Sequence, residues 1–265
     1  MRRAVTEAVY VSQHRRAFGK RLIDMPLMQR QLVKMTVWAE QARSVMFQTA
    51  RALADAEQGA ADPALARILT PLIKFRACRD ARKVTGDAME IRGGCGYIEE
   101  WSDPRLVRDA HLGSIWEGTS NIVALDVLRA IRREGSLPVL QAHLAGLLAD
   151  TPMHATARAT FEQAIARAAA LAARAAEAGA EGDVLARQAA SALYHVTSAV
   201  AMAWEAGRIG SVRRMRLAQL VLVHRVLPQD PLAGGAEPAW LAETVAPPED
   251  GAVRPAGQLD EINVF

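Results

Sequence analysis

What this sequence has little of narrows its possibilities before any motif is considered. Only 5% of its 265 residues are aromatic although 51% are apolar, and the balance is made up largely of Ala and Leu. That mixture favours helices over the aromatic, β-branched surfaces of sandwiches and barrels. The two cysteines, Cys78 and Cys95, are too few for a disulfide framework, and neither lies in a Cys-x-x-Cys or Cys/His pattern with metal-ligand spacing. A reducing, cytoplasmic setting without a metal site follows as the expectation. The opening residues, MRRAVTEAVYVSQHRRAFG, lack the apolar core of a secretory signal, and no uncharged run is long enough to cross a bilayer. The sequence therefore predicts a soluble protein with no membrane partner.

Acidic charge is also scarce over most of the chain. Of 32 Lys and Arg and 29 Asp and Glu, residues 230–265 hold seven acids (Asp230, Glu237, Glu243, Glu249, Asp250, Asp260, Glu261) and one base, Arg254, which leaves 31 bases against 22 acids before them. Such a basic body can attract polyanions, including nucleic acid or the phosphates of coenzyme A; an excess of arginine equally serves as a solvated helix face.

Helical periodicity runs through the chain. Residues 2–14 read as a short amphipathic helix without an N-cap ahead of it. From Pro26, suited to a first helical turn, Met28, Leu32, Met35, Ala39, Ala42, Met46 and Leu53 keep the spacing of one buried stripe as far as Gln58–Gly59. A second helix begins near Asp62-Pro63. It is expected to break at Thr70-Pro71, with Thr70 capping the restart, and then to run to Arg92. GGCGYIEEWSDPRLVRD reads as a loop, followed by a helix from Ser120 to Arg133 and by further helices carrying Leu137, Leu140, Leu144 and Leu147, then Phe161, Ile165, Ala168 and Leu171, then Leu193, Val196, Val200 and Ala203, and finally Val212 to Leu227. The expected architecture is all-α: a four-helix-bundle-type domain over residues 1–133, an additional basic helical region over 134–227, and an acidic Pro/Gly-rich tail over 228–265 that reads as disordered or loosely docked.

Three segments stand apart from this background: RRAFG at 15–19, EIRGGCGY at 90–97 and RDAHLGSIWEGTSNIVALDVLR at 108–129. The glycines of GGCGY permit a tight turn and close approach of backbone to a ligand, and glycines closing a helix do the same for structural reasons alone. Glu117, followed by Gly118 and by Thr119 or Ser120 as N-cap, stands at the mouth of a helix. A carboxylate there can be oriented by the helix's free amides and, in an apolar pocket, gains the proton affinity of a general base; it can equally be a plain helix cap.

Taken together, the order and spacing of these segments over residues 2–133 resemble the C-terminal domain of the acyl-CoA dehydrogenase family, whose pattern runs R-x-x-F-G, Q-I-x-G-G-x-G-[YF], R-D and [YW]-E-G-T-x-x-I. The resemblance implies FAD as cofactor, an acyl-CoA thioester as substrate, and α,β-dehydrogenation with Glu117 as catalytic base. It implies that Arg15 and Phe18 reach the FAD of a neighbouring subunit, so that the protein is a homo-oligomer. It further implies that Gly93 and Gly94 approach the nucleotide part of the flavin and that Thr119 and Asn121 contact FAD. Two positions depart from the pattern: Glu90 stands where a FAD-contacting glutamine is usual, replacing a donor by an acceptor, and Asn121 replaces another glutamine but keeps an amide.

TPLIKF at 70–75, GGCGY and SIWEGTSNIVALDVLR are most similar to the alkylation-response, AidB-like branch of the family. That branch continues into an arginine-rich helical region implicated in DNA binding, which by analogy makes Arg208, Arg213, Arg214 and Arg216 candidates for contacting duplex DNA. Complete family members also carry an N-terminal helical domain and a middle β-domain. The resemblance does not extend to those, so the chain is expected to be a fragment, a gene remnant or one piece of a split protein, inactive alone or associated with the missing domains. Three readings stand at this point: a flavin-dependent dehydrogenase, a flavin-containing DNA-binding protein, and a non-catalytic helical interaction module. The electron acceptor and the acyl chain are not specified by any of these residues.

Overall fold

The computed structural model describes residues 1–230, 232 and 239–245. The disorder expected for the tail concerns, over 246–265, residues that lie outside this description. Thirteen elements follow one another through the main body. They are α1 (Arg2–His14), β1 (Arg16–Ala17), β2 (Lys20–Arg21), α2 (Pro26–Glu57), α3 (Pro63–Arg92), α4 (Gly94–Tyr97), α5 (Asp103–Leu112), α6 (Ser120–Glu134), α7 (Ser136–Ala149), α8 (Ala155–Glu177), α9 (Gly179–Gly182), α10 (Ala186–Ile209) and α11 (Val212–Val221). The fold is all-α, as composition and periodicity predict; the two strands are a two-residue hairpin that pairs Arg16 with Arg21 and Ala17 with Lys20.

α2 begins at Pro26, whose missing N–H costs nothing in a first turn, where Gln29 N–H already donates to Met25 C=O at 3.0 Å. Leu32, Met35 and Ala42 are buried as expected, but Met46 and Leu53 are exposed. The buried line shifts instead to Gln41, Ser44, Val45, Thr49 and Ala52, because polar side chains that find partners inside displace the thioether and the leucine.

α3 corrects a second expectation. It is one 30-residue helix with Pro71 inside it, not two helices. Thr70 does not cap a restart: its hydroxyl donates to Ala66 C=O at 2.8 Å, one turn back. Leu69 and Leu72, flanking Pro71, are fully buried, so packing on both sides of the proline holds the helix through a bond it cannot make. The start is as expected, with Asp62 Oδ1 accepting from Ala64 N–H at 2.8 Å.

The loop expected after GGCG contains a helix, α5. Pro104 sits in its first turn behind Ser102 and Asp103, a start signal that a mostly polar, ten-residue segment made easy to miss.

The chain forms two compact units. One comprises residues 1–40, 77–117 and the described part of 231–250; the other comprises residues 41–76 and 118–230. In the first, Arg92 is the hub. Its Nε lies 2.5 Å from Asp103 Oδ2, its Nη2 lies 2.9 Å from Glu7 Oε2, and its guanidinium lies 4.7 Å from the Trp101 ring centroid. One buried cation thus joins α1, the end of α3 and the start of α5. In the second unit α10 is the central element. Every residue from Leu193 to Ala203 is buried, so this stretch of the additional helical region forms core. Its alanines let neighbouring helices approach closely, and α8 meets it with a face of Ala164, Ala168, Ala172 and Ala175.

Candidate active site

Within the first unit the three sequence segments acquire specific shapes. RRAFG forms the β1–β2 hairpin, and the turn places Phe18 at φ 52°, with its ring 97% exposed. Arg15 leaves α1 just before the hairpin and reaches back to the end of α3, where its Nη1 donates to Arg92 C=O at 2.7 Å. There the chain turns through Gly93, at φ 73°, a conformation that costs an L-residue with a Cβ. A Cβ added at Gly93 would also stand 2.7 Å from Arg15 Nη1, so a bare backbone is what lets the guanidinium lie against this turn. Gly96 is required for a different reason: a Cβ there would collide with Met89 C=O. Arg15, Gly93 and Gly94 are therefore brought together, with Gly94 exposed. Glu90, one turn earlier, is also exposed, and its carbonyl accepts from Gly93 N–H at 2.9 Å.

Arg92, Asp103 and Glu7 were not among the residues singled out by motif. Their ion pairs hold the glycine turn in place, and the signal available for them was slight: an arginine immediately before a Gly-Gly pair and an aspartate before a proline.

Glu117 lies at the end of the first unit, at φ 52°, and Gly118 follows at φ 104°. Its side chain is exposed and makes no hydrogen bond or ion pair among the described residues. The apolar enclosure expected around it is thus not formed by the described part of this chain. Exposed apolar side chains, among them Ile115, Trp116 and Tyr97, do occur in the same unit.

Thr119 and Asn121 stand at the start of α6, in the second unit, and both are exposed. Thr119 occupies the N-cap position, but its hydroxyl makes no capping bond, and the first turn of α6 carries no acidic residue. The amides that open this helix thus remain available to an acceptor from outside it.

The four arginines expected to form a DNA-binding cluster do not share one exposed face. Arg214 is 4% exposed and ion-paired with Glu205, and its Nη2 donates to Ser44 Oγ at 2.5 Å, which removes it from any surface patch. Arg208 pairs with Asp150 at 3.1 Å and lies 5.3 Å from the Trp204 ring centroid. Arg213 and Arg216 are half-buried. Arg214 is drawn inward by the acid of α10 and the hydroxyl of α2, long-range partners that the basic composition of the segment does not reveal.

Comparison with known proteins decides the family. Residues 1–132 match the family model described as acyl-CoA dehydrogenase, C-terminal domain. This part of the chain is an acyl-CoA dehydrogenase C-terminal domain. AidB of Escherichia coli (strain K12) is 40% identical to it over 137 residues, 52% of this chain and 25% of that protein. Acyl-CoA dehydrogenase family member 11 of Caenorhabditis elegans is 34% identical over 155 residues, again 25% of the relative's length. Among solved structures, Caenorhabditis elegans ACDH-11 in complex with C11-CoA superposes with a TM-score of 0.77 at 27% identity, covering 85% of this chain and 40% of that one. The Bacillus anthracis acyl-CoA dehydrogenase complexed with FAD shares the fold, with a TM-score of 0.69 at 19% identity. The structural match reaches past the residues that the family model covers. The chain nevertheless spans only about a quarter of the length of these two curated relatives. FAD is the cofactor of the family. Among the described residues no helix is long and apolar enough to cross a membrane.

Proposed function

We propose that this chain supplies the catalytic carboxylate and part of the flavin-contacting surface for α,β-dehydrogenation of an acyl-CoA thioester. One observation carries the reading. Among the described residues, the non-glycine positions with positive φ are Phe18 and Glu117. Left-handed backbone is uncommon for residues with a Cβ and costs of order 1–3 kcal/mol, so it persists where a side chain is being aimed. Both strained residues fall on positions that the acyl-CoA dehydrogenase pattern assigns to the flavin and to the base.

The residues present suit FAD. Arg15 is a donor-only cation held against the Gly93 turn, the exposed backbone at Gly94 allows close approach, and the opening amides of α6 are uncapped. These are groups that accept a pyrophosphate or polar ring edges. Glu90 is the exception, since a carboxylate beside a pyrophosphate is repelled. When bound, FAD supplies the acceptor for the hydride that leaves the β-carbon of the acyl chain. The chain's own part is the proton: Glu117 takes it from the carbon next to the thioester carbonyl, while Arg15, Phe18, Gly93, Gly94, Thr119 and Asn121 hold and orient the cofactor.

An exposed carboxylate lacks the enclosing wall that would hold it against an acyl chain and keep water away. The chain alone is therefore expected to bind FAD but to turn over no acyl-CoA. Titration of the full chain with FAD should give saturable binding, weakened about tenfold by Arg15→Gln, as the loss of a charge-assisted hydrogen bond implies. Absence of saturable FAD binding, or an unchanged affinity in the variant, contradicts the cofactor reading. In any assembly that restores turnover, Glu117→Gln should lower kcat about 10²–10⁴-fold.

A further inference from the structure

Arg92 offers α1 two handles. Its Nη2 meets Glu7 Oε2 at 2.9 Å, and its main-chain carbonyl accepts from Arg15 Nη1 at 2.7 Å. Glu7 lies within α1 and Arg15 caps its end, about 12 Å further along the axis at a rise of ~1.5 Å per residue. One residue of α3 is thus gripped by α1 through its side chain and through its main chain. A helix attached at one point can pivot, whereas attachment at two separated points fixes its direction and the place of Arg15 at its end. The third contact comes from α5, whose Asp103 Oδ2 lies 2.5 Å from Arg92 Nε.

The two acids hold Arg92 differently. Glu7 is shared, since its Oε1 faces Arg3 Nη2 at 2.7 Å while its Oε2 faces Arg92. Asp103 is buried, the bond from Arg92 is the one its carboxylate makes among the described residues, and its Oδ1 has no partner. A buried carboxylate with one cation keeps that cation in place, because any displacement of Arg92 would leave a charge uncompensated in the interior. The consequence falls on Arg15. Its side chain makes no hydrogen bond or ion pair among the described residues other than the one to the Arg92 carbonyl, so its remaining donors are open to an acceptor from outside. A Cβ at Gly93 would stand 2.7 Å from Arg15 Nη1, so the guanidinium lies on the bare turn without slack. Where those donors point is decided by where Arg92 is held.

We propose that Glu7 and Asp103 are positioning residues for the cofactor: acting through Arg92, they set the place of Arg15 and of the Gly93 turn against FAD. The assignment rests on the flavin reading above and adds to it two acids that act through Arg92 rather than on the cofactor. It also makes a prediction of unusual sign. FAD is anionic at its pyrophosphate, so by charge alone the removal of an acid from this unit strengthens its binding. If the acids serve to place Arg15, their removal weakens it, because a charge-assisted hydrogen bond that loses its charge loses about half its strength and the donors it held lose their aim.

Two measurements on the full chain test it, with Glu7→Gln and Asp103→Asn, which keep the side-chain shape and remove the charge, and with Arg3→Gln, which takes away the other cation of Glu7 and leaves Arg92 held. In the flavin-free chain, amide hydrogen exchange over residues 92–97 should quicken about tenfold in the two acid variants and stay unchanged over residues 186–209. In FAD titration the same two variants should bind about threefold to tenfold more weakly than wild type, and Arg3→Gln within about twofold of it. Should Asp103→Asn not fold, Glu7→Gln, on a side chain that is not fully buried, carries both measurements. Exchange over 92–97 that is unchanged, or quickened equally throughout the chain, overturns the positioning role. So does FAD affinity in the acid variants that equals or exceeds that of a wild type that binds. A wild-type chain that binds no FAD sinks the cofactor reading instead, and exchange alone then decides for or against the hold on Arg92.

Discussion

His195 sits on α10 with all its neighbours in the sequence from Leu193 to Ala203 buried, and its Nδ1 is 3.0 Å from Gln41 Nε2. With the amide donating, Nδ1 accepts and the ring is held neutral. Burial pushes its pKa well below the ordinary imidazole value, and the positive charges of Arg76 and Arg225 push it further in the same direction. The unfolded chain, whose imidazole titrates near ~6.5, therefore binds a proton that the folded chain refuses. Stability from this residue is complete above that pH and is lost as the pH falls toward the depressed folded value, by up to about 1.4 kcal/mol per pH unit. Urea unfolding at pH 7, 6 and 5 should show this loss, and His195→Asn should flatten it. An unchanged slope in the variant would assign the acid sensitivity to other groups. Arg214 is the complementary case at this scale, a buried guanidinium whose donors are met inside by Glu205 and Ser44.

At the scale of elements, the interest lies in how helix ends are satisfied. The last carbonyls of α8 have no partners within their own helix. Arg132, in the last turn of α6, provides them: its Nε donates to Ala176 C=O at 2.9 Å, and its Nη2 lies 3.1 Å from Ala175 C=O and 2.6 Å from Gly179 C=O. Asp183 Oδ1, 2.9 Å away, holds the guanidinium in place. A positive charge at a helix C-terminus also opposes the negative end of the helix dipole. Arg132→Met keeps most of the side-chain volume and removes every donor, and the expected cost is about 1–3 kcal/mol of unfolding free energy in chemical denaturation. A change below about 0.5 kcal/mol would mean that water replaces the guanidinium without loss. The glycine turn after α3 follows the same logic, with Arg15 on its last carbonyl and Arg92 clamped between Asp103 and Glu7.

For the whole molecule, exposed apolar side chains carry the main expectation. Phe18, Tyr97, Leu112, Ile115 and Trp116 are all exposed, and soluble monomers seldom leave many large apolar groups in water without a use for them. The expected outcome is self-association into a dimer or larger symmetric species at micromolar concentration, seen by sedimentation velocity. Phe18→Ser together with Tyr97→Ser should shift it toward monomer. A wild-type chain that sediments as a monodisperse monomer would rule this out.

Fold class and most helices were legible in the sequence because 3.6-residue periodicity and caps are local properties: α1, α2, α6 and the start of α3 lie where the pattern puts them. The family was legible because RRAFG, GGCGY and IWEGTSN keep their order and spacing. The strain at Phe18 and Glu117 was not, since a positive φ on a residue with a Cβ leaves no mark on composition. Long-range pairing decided the rest. Whether Pro71 ends a helix depended on Leu69 and Leu72 being packed, and whether Met46 or Thr49 faces inward depended on what lies across from α2. Whether Arg214 reaches solvent depended on Glu205 and Ser44, which are 9 and 170 residues away along the chain. Sequence determines what each residue is able to do, and tertiary structure selects among those abilities by placing, or not placing, a partner opposite it.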